Sequence, residues 1–149
     1  MTRGMFTQRW LVYALLSAAS AALVGIFAKL GMKEVDSTLA TAVRSVVMTA
    51  FLLAVCTATG LWSQVRTIHA RAAVMIDLSG VAGAVSWLFY FKAIQVGGVS
   101  KVAPIDKLSM PLAILLAVLL LGERPTWVNW AGIALIAGGA YLAAMPGKP

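Results

Sequence analysis

Five ionisable residues, Lys29, Arg44, Lys92, Asp106 and Lys107, sit within or at the ends of runs that are otherwise apolar. A charge at the centre of a membrane helix costs about 2.5–3.5 kcal/mol on insertion scales, and less towards the helix ends. What four cations and one carboxylate can do is bind an ion or a polar solute through charge-assisted hydrogen bonds. They do not assemble a catalytic set. The chain has one cysteine, Cys56, and one histidine, His69. One protomer therefore forms no disulfide and no Cys/His metal site. No nucleophile–base set is visible either. The residues argue against an enzyme, and neither a cofactor nor a metal is expected.

The neighbours of these charges extend the candidate pathway. On a helix, Thr41, Arg44 and Met48 share one face, as do Asp106 and Ser109. Asp106 and Lys107 are adjacent, so a regular helix points them about 100° apart and each needs a partner elsewhere. Pro104 falls in a first turn, where a missing N–H costs little. Pro111 is deeper, and its missing N–H is expected to free the carbonyl of Lys107. Helices broken beside ionisable residues recur where membrane proteins bind solutes. Trp87 and Tyr90, with Phe91, could wall a cavity. The substrate-pathway residues are thus Arg44, Asp106, Lys107, Lys92, Thr41, Ser109, Trp87 and Tyr90, with the helix break at Pro104 and Pro111. Plainer readings stand beside this one. Lys29, Lys92 and Lys107 are close enough to the interface to snorkel, Arg44 and Asp106 could pair for structure alone, and the aromatic residues could be core or lipid-facing packing.

The elements that position these residues follow from composition. Of 149 residues, 61% are hydrophobic and 11% charged; ordinary soluble domains are about 25% charged. So short a chain cannot hide that much apolar surface from water, so the bilayer is most of its solvent. Five stretches are long enough to cross about 30 Å of hydrocarbon: 11–30, 38–61, 72–96, 102–121 and 127–144. The links GMKEVDS, WSQVRTIHAR, GGVSK and GERPT are short and turn-like. The expectation is an all-α integral membrane protein of five helices, a single domain over 1–149. The N-terminus, with basic residues before an apolar stretch, resembles a signal peptide. Its apolar run is too long for a typical signal core, and it is read as the first membrane helix.

Five crossings put the two termini on opposite sides. The N-terminal side then holds Arg3, Arg9, Arg66, Arg71 and Arg124. The other side holds Lys33, Lys101 and Lys148, with Lys29 at its edge. The excess of cations that marks a cytoplasmic loop is slight, so insertion either way up is open; the N-terminal side is the better cytoplasmic candidate. The five membrane charges fall in one layer on the opposite side, roughly 3–10 Å deep by the helical rise. The net charge of +7 is spread along the chain, without a basic run or an RNA-binding motif, which fits anionic lipid rather than nucleic acid. Trp10, Trp62, Trp127 and Trp130 suit interfacial anchoring. Small-residue pairs four apart, such as Gly80 and Ala84 or Ala134 and Gly138, suit a packed bundle. Asp77 reads as a cap or interface residue. In LGERPT, Gly122 ends the fourth span, Pro125 fits the first turn of the fifth, and Glu123 lies in the link.

Three stretches, FAKLGMKEVDSTLATAVRS, FYFKAIQVGGVSKVAPIDKLS and LGERPTWVNWAGIALIAGGAYL, resemble the EamA-type repeat of the drug/metabolite transporter superfamily. With the spacing of the spans they cover nearly the whole chain. Most members of that superfamily have ten spans, formed from two such repeats of opposite orientation. The resemblance implies a central cavity, alternating access and export of small metabolites. This sequence holds one repeat, half of a ten-helix inverted-repeat transporter. Because five is odd, two copies inserted in opposite directions would recreate the inverted repeat. The expectation is a multi-pass protein of the cell (inner) membrane, working as an antiparallel homodimer to move a small polar metabolite. The net positive layer favours an anionic or zwitterionic substrate. The rival readings are a multidrug or cationic-compound exporter, and a lipid-linked substrate flippase or non-transporting membrane subunit.

Overall fold

A computed structural model describes the backbone of residues 3–145 and the side chains of 9–145. The Arg3 side chain and Lys148, both used in the loop-charge comparison, lie outside the described residues. Among the described residues there is no strand; the elements are α1 (Arg3–Gly31), α2 (Ser37–Ala58), a 3₁₀ segment (Leu61–Thr67), α3 (Ala70–Gly97), α4 (Val99–Asp106), α5 (Ser109–Leu116), a π turn (Ala117–Leu121) and α6 (Trp127–Ala144). Five helical spans have the length and hydropathy to cross a bilayer: Arg9–Gly31, Ser37–Ala58, Ala70–Gly97, Val99–Leu121 and Trp127–Ala144. The protein is an all-α membrane protein of five spans.

The chain divides into two compact units, Gly31–Gln95 and a second built from Met1–Leu30 with Val96–Pro149. In the first, α2 starts abruptly because Asp36 caps it. The Asp36 carboxylate accepts from the N–H groups of Thr38 at 2.8 Å and Leu39 at 3.3 Å, satisfying two donors that the helix itself leaves open. The link expected to be irregular after α2 winds into the 3₁₀ segment, entered through Gly60 at φ 68°. The indole N–H of Trp62 donates to Thr57 Oγ1 at 3.0 Å and fastens that segment to the end of α2.

In the second unit, α4 and α5 pack on α6. The fourth span starts three residues earlier than hydropathy suggests. The link before it is the single residue Gly98, at φ 81° and ψ 159°, a region that is essentially glycine-only. α6 begins behind a reciprocal cap. Thr126 Oγ1 accepts from the Asn129 N–H, and Asn129 Oδ1 accepts from the Thr126 N–H, the arrangement of a capping box with Asn in the third position. Thr126 is therefore the cap, and Pro125 stands just outside the helix rather than in its first turn. Gly122 ends the fourth span at φ 70°, as expected.

Very little is buried. Among the described residues, the apolar ones less than a tenth exposed are Met32, Phe91, Ile94, Ile133 and Ala140, while Trp127, Val96 and Leu120 are more than three-quarters exposed. In water this pattern would expose an aggregation-prone surface; in lipid it is the ordinary exterior of a helix. A Cβ placed on Gly80, Gly138 or Gly139 would meet nothing within 4 Å. These small residues therefore seat no neighbouring helix within their own unit.

Candidate functional site

Each unit carries one polar cluster. In Gly31–Gln95 it is centred on Arg44, the eighth residue of α2, so about 10 Å along the helix and somewhat deeper than the sequence implied. Its guanidinium carbon lies 3.7 Å from the centroid of the Trp87 ring and 5.3 Å from that of Phe91. The three aromatic residues brace one another. Trp87 meets Tyr90 edge-on at 5.6 Å and Phe91 at 5.3 Å, both within the range where ring quadrupoles attract. Phe91 is fully buried and Arg44, Trp87 and Tyr90 are half-buried. Spacing explains the cluster: residues 87, 90 and 91 lie on one face of α3.

Thr41, one turn before Arg44, is buried, and its hydroxyl donates to the Ser37 carbonyl at 2.7 Å. Ser45 and Thr49 bond back in the same way, to the carbonyls of Thr41 and Ser45. With these protons committed to the backbone, the hydroxyl oxygens are left as acceptors. Lys92 is exposed, as a snorkelling lysine would be, and its charge helps to hold the Asp36 carboxyl below its ordinary pKa. The main causes there are the hydrogen bonds from Thr38 and Leu39. Asp77 is the eighth residue of α3, two turns in and exposed. It is too deep to cap that helix.

In the second unit the cluster is the break in the fourth span, and it corrects three expectations. First, Asp106 and Lys107 do meet, with Nζ 3.5 Å from Oδ2. Regular helix stops between them and Ser109, and the long lysine side chain turns back onto its neighbour. Secondly, Pro104 lies inside α4, its sixth residue, because that helix starts at Val99; the Ser100 carbonyl loses the N–H it would otherwise receive. Thirdly, Pro111 does not free the Lys107 carbonyl. The Met110 N–H donates to it at 3.0 Å, and Lys107 and Leu108 donate to Pro104 and Ile105 at 3.1 and 3.0 Å. The break is thus a tight 3₁₀ turn. Such a turn eclipses residues three apart and keeps Asp106 and Ser109 on one side of the chain. Ser109 is exposed and Asp106 half-buried.

Sequence reasoning did not foresee the contact between Arg44 and Trp87. The only signal for it was an aromatic i, i+3, i+4 face on α3 together with a cation on α2. A shallow cleft of about 440 Å³ between Ile114, Glu123, Arg124, Pro125 and Asn129 also went unread.

Five spans, with an arginine inside one and a charged break inside another, define a polytopic membrane protein. Comparison narrows this. The EamA-like transporter family model matches residues 8–145, and the chain belongs to that family. It is 44% identical over 139 residues to a Sinorhizobium protein described as an uncharacterized transporter in the cobO 3′ region, covering 93% of this chain and 99% of that one. No solved structure matches the chain. The protein is a multi-pass membrane transporter.

Proposed function

We propose that the protein is a secondary transporter of a small anionic or zwitterionic metabolite, working by alternating access as an antiparallel homodimer and acting as an exporter in the cell membrane. The observation that carries this reading is the break at Lys107–Leu108 beside the Asp106–Lys107 pair, in a chain of a transporter family. A span interrupted beside an ion pair keeps ionisable groups within the bilayer, a cost tolerated where they serve a solute or line water. Both clusters, the Arg44 group and the Asp106 group, belong to the pathway. Of the five membrane charges four are positive, which favours a carboxylate or phosphate over an organic cation. The dimer reading rests on the odd number of spans: an inverted second copy would supply the second repeat.

Proteoliposomes loaded with a mixture of small metabolites test this, with the released compounds identified by mass spectrometry. The expected result is release of a set of anionic or zwitterionic compounds, reduced at least about tenfold by Asp106→Asn or Arg44→Ala in protein that still elutes as a folded dimer. A tenfold change corresponds to about 1.4 kcal/mol. Equal release by all three proteins, or release of cations alone, contradicts the proposal. The second outcome would favour the multidrug reading.

A further inference from the structure

The geometry points to Arg44 as an oxyanion seat that takes its ligand edge-on, with Trp87 as the residue that positions it. This deepens the transport reading and rests on it for physiological meaning, but the binding claim stands on geometry within one unit.

At 3.7 Å from the Trp87 centroid the guanidinium carbon is in contact with the indole face, a distance that favours stacking flat on the ring. Each of its nitrogens is about 1.3 Å from the central carbon, as in any C–N bond with partial double-bond character. A guanidinium standing upright would press its nitrogens to about 3 Å or less from the ring. Lying flat, it spends its face on the aromatic surface, and its N–H groups radiate in its own plane, away from the ring. That edge is the fork that matches two oxygens of a carboxylate or phosphoryl group.

Three further observations favour a ligand over a purely structural cation. Within Gly31–Gln95, among the described residues, no carboxylate lies at ion-pair distance from Arg44. In the same unit the Trp87 indole N–H, a donor only, makes no hydrogen bond, so it is available beside the fork. Finally, Phe91 is 1% exposed and in contact with Trp87, so the platform has a rigid backing. A plane fixed in this way loses less entropy when a ligand docks. The chemistry of the seat is donor-only, and its ligand is a small oxyanion, whether a dissolved solute or the phosphate of a lipid headgroup.

Thermal unfolding of the protein purified in dodecyl maltoside, a detergent without phosphate, tests the inference. Sodium phosphate and sodium acetate are titrated separately, with ionic strength held constant by sodium chloride, and short-chain phosphatidylglycerol forms a third arm. A ligand of the folded state raises Tm in a saturable way. The unaltered protein is expected to respond to at least one probe. Arg44→Lys keeps the charge but loses the planar fork, and should weaken the response at least about tenfold; Arg44→Gln replaces it if the lysine variant does not fold. Trp87→Phe keeps a flat platform but loses the indole N–H, and should bind more weakly than the original yet clearly more tightly than Trp87→Leu. Trp87→Leu removes the platform and should lose at least about tenfold, which is about 1.4 kcal/mol. This difference between Phe and Leu separates positioning from mere packing. Response to phosphate or acetate but not lipid marks a solute; the reverse marks a headgroup. The seat is overturned if no probe raises Tm of the unaltered protein, if the Arg44 variant responds as fully, or if Trp87→Leu binds as well as Trp87→Phe. Binding without Arg44-dependent efflux would leave the seat and remove the transport reading, and efflux that survives loss of binding would do the opposite.

Discussion

Arg44 and Asp36 lie eight residues apart on one stretch of chain, and each has its charge held by a different kind of neighbour. Arg44 rests on rings, and its charge is answered by the quadrupole of Trp87. Asp36 is outside the span and accepts two backbone N–H groups at the start of α2. Those bonds, with a smaller contribution from Lys92, lower its pKa. A carboxyl whose folded value lies below its unfolded one adds stability above the unfolded value, about 3.9. That contribution is lost as pH falls through the folded value. Asp36→Asn can still cap but cannot ionise. The stability gap between the original protein and Asp36→Asn should therefore be full near neutral pH and shrink below about pH 4, measured as Tm across a pH series. A gap independent of pH would show that the charge contributes nothing. At this scale the sequence was only partly legible. The candidate residues could be named, since an ionisable group in an apolar run is conspicuous. Their partners could not, because Trp87 is forty-three positions from Arg44 and only folding brings them together. Asp106 and Lys107 show the converse: adjacency on an assumed regular helix predicted separation, and the helix break allowed contact.

At the scale of elements, five spans were readable because bilayer thickness imposes a length that hydropathy alone reveals. Their ends were not. Ser100 and Lys101 look like a loop and suggest a start at 102; the structure starts the span at Val99, since polar residues are tolerated in a first turn. That shift of three residues moved Pro104 from a harmless position into the helix. It also left the whole turn between α3 and α4 to Gly98. A side chain at φ 81° and ψ 159° is strained wherever it points, although open space surrounds this glycine. Gly98→Ala should cost about 1–3 kcal/mol, read as a lower unfolding midpoint in detergent. A midpoint unchanged by the substitution would mean that the turn relaxes freely and does not fix the entry to α4. The capping box at Thr126 went unread because Asn replaces the usual Glu or Gln in the third position.

The whole molecule presents an exterior that suits lipid: most large apolar side chains of the described residues are more than a third exposed. Family membership makes it a transporter, and its described residues hold five spans. An odd number of crossings is what allows a second copy, inserted upside down, to complete the inverted repeat. The described loop cations, Arg9, Arg66, Arg71 and Arg124 against Lys33 and Lys101 with Lys29 at the edge, exert only a weak pull on orientation. The most direct measurement is a pair of C-terminal fusions, one to a reporter active only outside the cytoplasm and one to a reporter active only within it, compared in the same cells. Insertion in both directions predicts substantial activity from both reporters. Activity from one alone would contradict the antiparallel pair, and would require a parallel dimer or a partner chain of the other orientation.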